Sequence, residues 1–174
     1  MPAVFGGTSS VASGTGWGFW VDGDYLTQAS TPFSVSAATR TKLPNNGASA
    51  LTNTDQLGTV PAGVWDTTND KLVPELYQAY NVRVTFKCQT ASAGSGNYVE
   101  LDLDIGSGGV GTGPKIWAST KTLAKGQGIE HSMAFAIPLF ALAPFPTTGG
   151  TFYVTPNVAL DVWDIRIFVD RLAA

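Results

Sequence analysis

Tyr80-Asn-Val-Arg-Val-Thr-Phe-Lys-Cys-Gln89 is the stretch on which the fold turns. Its apolar side chains, Tyr80, Val82, Val84, Phe86 and Cys88, fall on every second position, the period of a strand with one buried face. The next segment, Tyr98-Val-Glu-Leu-Asp-Leu-Asp-Ile105, repeats the pattern. Here Val99, Leu101, Leu103 and Ile105 are predicted to point inward, and Glu100, Asp102 and Asp104 outward. Further strands are predicted near residues 116–123, 129–137, 152–155 and 162–169, the last with Trp163, Ile165, Ile167 and Val169 as its core face. The two best helix candidates, 71–80 and 133–143, enclose Pro74 and Pro138, and an interior proline costs a helix about 3 kcal/mol. Many short strands, Gly and Pro turns and no alternating helices make the chain all-β, a sandwich or a barrel.

Upstream of residue 80 the pattern is looser. Val64-Trp65, a turn cluster over 66–70 and Lys71-Leu72 read as a short hairpin. Residues 36–63 are Ser, Thr, Asn, Gly and Pro with isolated Leu43, Leu51 and Leu57, which predicts long polar loops and a candidate contact surface. Asp22-Gly23 between two apolar runs predicts a tight hairpin with Trp20 facing Tyr25. Residues 1–16 are small and polar, a flexible N-terminal arm ahead of a single domain over 17–174. Within that domain, 17–63 carries the hairpin and loops, and 64–174 the body.

Composition narrows the function. The 174 residues suffice for one self-supporting core. Only 13% are charged, about half the usual share, so the surface carries Ser, Thr, Asn and Gly, which suits packing against other subunits at little desolvation cost and equally suits a neutral surface left free. A net charge of -3 gives no basic patch for nucleic acid. No stretch of about 18 apolar residues predicts a membrane span, and residues 1–16 lack the basic start and apolar run of a secretory leader, so the chain is expected to be made and kept in the cytosol, at least at first.

The motifs that carry chemistry elsewhere each lack a component here. Gly106-Ser-Gly-Gly-Val-Gly111 has the letters of a dinucleotide loop and follows a strand, but Thr112-Gly113-Pro114 and another strand replace the helix that should hold the phosphates. The Glu100, Asp102 and Asp104 stripe has carboxylates for calcium or for glycoside hydrolysis, but a straight strand cannot wrap an ion. His131 is the single histidine and falls in register with Ile129, Met133 and Phe135, which assigns it to the core rather than to a zinc site. Cys88, the single cysteine, lies on the apolar side of its strand and reads as a small hydrophobe. No catalytic residue, no metal ligand set and no cofactor is therefore assigned, and the chain is read as a non-enzyme. Trp17 and Trp117 stay open as ligand or partner contacts, because aromatic faces stack on sugar rings.

Val64-Trp-Asp-Thr-Thr-Asn-Asp-Lys-Leu-Val-Pro, then Tyr80-Asn-Val-Arg-Val-Thr-Phe, Gly150-Thr-Phe-Tyr-Val and Val162-Trp-Asp-Ile-Arg-Ile-Phe-Val together resemble the trimeric jelly rolls of tailed-phage virion proteins. The order of these landmarks is similar to that of the wider C1q and tumour-necrosis-factor-like fold, over about residues 64–174. The resemblance implies a two-sheet antiparallel jelly-roll sandwich and a homotrimer, used as a capsid cement or decoration subunit or in a fibre. It brings no catalytic residues.

The fold it implies has a testable geometry. A meander would pair 80–89 with 97–105, setting Lys87 against Glu100 and Arg83 against Asp104. A jelly roll puts those strands in opposite sheets and pairs the acidic strand with 116–123 instead. The expected role is a virion structural protein whose partners are its own copies, a major capsid protein or other virion subunits, with Phe168, Ala134 and Ala136 lining the trimer contact. The arm and polar loops would order against neighbouring subunits. The alternative is a carbohydrate- or receptor-binding module of a tail or head fibre.

Overall fold

A computed structural model describes residues 16–29, 31–52, 61–91, 93–106 and 113–172. Alternation places the long strands where the periods predict. The strands are β1 (Trp17–Val21), β2 (Phe33–Val35), β3 (Thr41–Lys42), β4 (Ser49–Thr52), β5 (Pro61–Asp66), β6 (Lys71–Leu72), β7 (Ala79–Thr90), β8 (Tyr98–Asp104), β9 (Lys115–Thr122), β10 (His131–Phe140), β11 (Thr151–Pro156) and β12 (Leu160–Arg171). One turn of helix, α1 (Phe145–Thr148), precedes β11.

Two antiparallel sheets form the sandwich. The larger runs β10-β7-β12-β1-β4, with β2 pairing the start of β12, and the smaller runs β3-β11-β8-β9. The jelly-roll expectation is met: β7 and β8 lie in different sheets, and β8 pairs β9 with Leu101 opposite Ser119 and Tyr98 opposite Thr122. The meander contacts do not form, because Arg83 faces Ala136 on one side and Phe168 on the other.

Between the sheets lies one core. Tyr80, Val82, Val84, Phe86 and Cys88 of β7 meet Val99, Leu101 and Leu103 of β8, and each of these residues is at least 98% buried. Removing each large apolar side chain from water contributes about 1.5–3 kcal/mol, which is what holds the two sheets face to face. Pro138 sits inside β10, where helix was excluded, and β10 is an edge strand where a missing N–H breaks no ladder.

Several expectations are corrected. Asp22-Gly23 does not turn a hairpin. The Asp22 carboxylate accepts from the backbone N–H groups of Asp24 and Tyr25, each at 2.9 Å, and bends the chain away from β1. Strand β1 pairs β12 and β4 instead. Gly18 of β1 is what lets the Trp20 indole lie flat, since a Cβ there would stand 2.2 Å from the ring.

The stretch 36–63 is not a run of loops, because it supplies β3, β4 and the start of β5 and places Leu43 in the core. Leu57 and the arm before Gly16 lie outside the described residues. In β12 the core face changes phase. A bulge between Trp163 and Arg166, with Asp164 at φ 53°, turns Leu160 and Val162 inward ahead of it and Ile165, Ile167 and Val169 after it. Trp163 is buried, but not in the core cluster where strict alternation had put it.

Candidate functional site

The outer side of the larger sheet is the first candidate. Alternation that buries β7 and β12 inward leaves their other face outward, and strand register lines the outward residues into a row. Leu51, Phe19, Phe168, Arg83 and Ala136 stand side by side on β4, β1, β12, β7 and β10. Trp17 stacks on Phe168 with ring centres 6.4 Å apart, and the Arg83 guanidinium lies 6.0 Å from the Phe168 ring centre. Ala134 and Ala136 are exposed on β10, and small side chains there keep the face open.

A depression of about 220 Å³ lies in this face, lined by Phe19, Arg83, Thr85, Arg166 and Phe168. Leu51 is 64% exposed and Trp17 42%. Aromatic and aliphatic groups beside arginine, at low charge density, are the composition of the centre of a protein–protein contact.

Sequence reasoning placed Phe168, Ala134 and Ala136 on this face and left Trp17 open. Phe19 was missed, although its alternation with buried Gly18 and Trp20 carries the signal. Leu51 was also missed, and the polar stretch around it has no period to reveal it.

Trp117 is elsewhere. It is half-buried on β9, edge-on to Phe135 with ring centres 6.3 Å apart, and packs against the core.

The acidic strand is the second candidate, and its expected exposure is overturned. Asp102 and Asp104 are 0% and 1% exposed. Two buried carboxylates require compensation, and Arg40 supplies it from the segment read as loop. Its Nε donates to both oxygens of Asp102 at 3.1 Å, and its Nη1 donates to Asp104 Oδ2 at 3.1 Å. The guanidinium also lies 4.1 Å over the Tyr153 ring. On the other side, Lys115 pairs with Glu100 and reaches Asp102 Oδ2 at 3.4 Å.

Hydrogen bonding to Asp102 is the main reason the Arg40 guanidinium is held above its ordinary pKa. Likewise, its hydrogen bond to Glu100 is the main reason the Lys115 ammonium is held above its own. The other oxygen of Asp104 accepts from Gly106 N at 2.8 Å. The Asp102 and Asp104 carboxylates are thus committed to structural partners. Among the described residues, no group of three or more His, Cys, Asp and Glu is arranged to hold a metal ion.

The remaining reactive side chains are isolated. Burial pushes the Cys88 thiol up to about 12, so it stays protonated and inert. His131 is half-buried at the start of β10 opposite Cys88, rather than in the core, because Ile129 before it is already exposed and outside the strand. Of the glycine-rich stretch, residues 107–112 lie outside the described residues.

No protein-family model matches the sequence, and no curated protein matches it. Solved structures do match over most of the chain. Eiger TNF from S. frugiperda is 12% identical over 91% of this chain and 93% of its own, with a TM-score of 0.52. The PRD1 vertex protein P5 is 13% identical over 91% and 96%, with a TM-score of 0.47. A chain of the native Kashmir bee virus virion is 16% identical over 90% and 67%, with a TM-score of 0.36. The match to Eiger TNF, with the strand order above, gives this chain the fold of an antiparallel jelly-roll sandwich.

Proposed function

We propose that this jelly roll is a virion structural protein, a capsid cement or decoration subunit that assembles as a homotrimer through the outer face of its larger sheet. The observation that carries the reading is the row Leu51, Phe19, Phe168, Arg83 and Ala136 on a five-strand platform, with Leu51, Arg83 and Ala136 exposed and Phe19 and Phe168 half-buried among them. Trp17 and Leu51, both exposed, extend the half-buried Phe19 and Phe168 into one apolar strip, the kind of surface that marks a contact with another protein. Three copies related by a threefold axis would bury Phe168 and Trp17 near that axis, with Ala134 and Ala136 allowing close approach. The smaller sheet would then face outward, its charges already neutralised in pairs. The resemblance over residues 64–174 supplies the virion setting.

Light scattering of the purified protein tests the assembly, with three times the chain mass expected. Adding the protein to capsids that lack it tests the setting, with saturable binding expected. A monomer that ignores such capsids would overturn both parts.

A further inference from the structure

One end of the sandwich is markedly apolar. The last residues of β10, the first of β7 and the last of β12 come together there, and Leu76, Tyr77, Ile116, Phe140, Leu142 and Leu172 are all exposed at that end. Phe140 is 58% and Leu142 52% exposed. Between Phe140, Leu142, Ile116 and Phe145 lies a groove of about 320 Å³ with no charged lining residue. This groove is not part of the sheet face assigned to trimer contact, and its size suits one aromatic and one aliphatic side chain.

We propose that the groove holds residues Val4 and Phe5 of the same chain's N-terminal arm. Three observations converge on that occupant. The arm leaves from this end, because the carbonyl of Gly16 accepts from Arg171 N at 2.7 Å at the tip of β12. The arm is long enough: the groove lies beside β10, three strand spacings or about 15 Å from β1, a distance spanned by about five extended residues. Fifteen residues precede Gly16, so Phe5 reaches the groove with slack. The arm also has matching chemistry, since residues 1–16 contain no charged side chain and carry Met1, Val4, Phe5 and Val11 among Gly, Ser and Thr. Burying Phe5 and Val4 offsets the entropy of ordering a few small residues. The inference holds for a single subunit and does not depend on trimer formation.

Disulfide trapping in the full-length protein tests it. Phe5→Cys with Leu142→Cys should link within one chain under mild copper–phenanthroline oxidation. Phe5→Cys with Leu26→Cys should not link, although the arm can also reach Leu26, which is exposed beyond the other end of β1. Buried Cys88 should not compete. A second measurement uses Phe5→Asp, which should raise binding of an apolar dye severalfold at unchanged light-scattering mass. Equal linkage to both positions, no linkage at Leu142, linkage between two chains or unchanged dye binding would each overturn the assignment. A loss of trimer mass without any of these would count against the sheet-face contact alone.

Discussion

Arg40 Nε lies 3.1 Å from each carboxylate oxygen of Asp102, 62 residues further along the chain. That fork joins β8 to the segment between β2 and β3 and pins the outer side of the smaller sheet. The Asp102 side chain is fully buried, so its charge depends on these partners for compensation.

Removing the cation should therefore be costly. Arg40→Met leaves Asp102 buried with only the Lys115 contact and Asp104 with only Gly106, and the expected loss is about 3–5 kcal/mol. Arg40→Lys should recover only part of it, because a single ammonium cannot fork to Asp102, reach Asp104 and stack on Tyr153 together. Urea denaturation midpoints of the three proteins test the ranking.

Gly113 leans on the same cluster. A Cβ added there would stand 2.0 Å from Asp104 Oδ1, so Gly113→Ala must displace the carboxylate from Arg40 and Gly106. The expected destabilisation is about 1–3 kcal/mol. A double-mutant cycle with Arg40→Met should show strong coupling between the two sites, and additive effects would contradict the shared carboxylate.

Alkaline pH should reveal Cys88. Its thiol is held protonated up to about 12 in the fold, against a reference of 9.0. A group whose pKa is raised by folding stabilises fully below its unfolded value, and that contribution falls as pH climbs to the folded one. Between about pH 9 and 12, the wild type should thus lose up to about 1.4 kcal/mol per pH unit through this residue. Cys88→Ala should flatten the slope by that amount in urea titrations at pH 9, 10 and 11. Iodoacetamide should label Cys88 only in unfolded protein.

The sheet face makes its own demand. Phe168→Asp places a charge in the middle of the row and Ala136→Glu one at its β10 end, and either should shift the proposed trimer to monomer at micromolar concentration. Far-UV circular dichroism should be unchanged, since both side chains point away from the core. Leu26→Asp, outside the row, should leave the mass unaltered.

Much of this architecture was legible because side-chain alternation records which face of a strand is buried. The even-numbered residues 80 to 88 and the choice of β9 as partner of β8 followed from period and landmark order, and Phe168, Ala134 and Ala136 emerged on one exposed face for the same reason. Alternation says nothing about distant compensation. Asp102 and Asp104 read as solvent-facing because Arg40, which permits their burial, stands in a stretch with no period of its own. The bulge at Asp164 was invisible too, since a single left-handed residue shifts the phase without altering composition. Asp22-Gly23 misled because an aspartate beside glycine can cap its own neighbours as readily as it can turn a hairpin.

Strand β12 follows every other strand in chain order, yet it lies in the middle of the larger sheet, between β7 and β1. A ribosome must therefore deliver all the other strands before that sheet can close. Until then, β1 and β7 present unpaired edges and bare apolar faces. The nascent chain is thus committed to late, all-at-once folding, and chains interrupted before residue 160 should be sticky debris for chaperones and proteases rather than half-built sandwiches that persist.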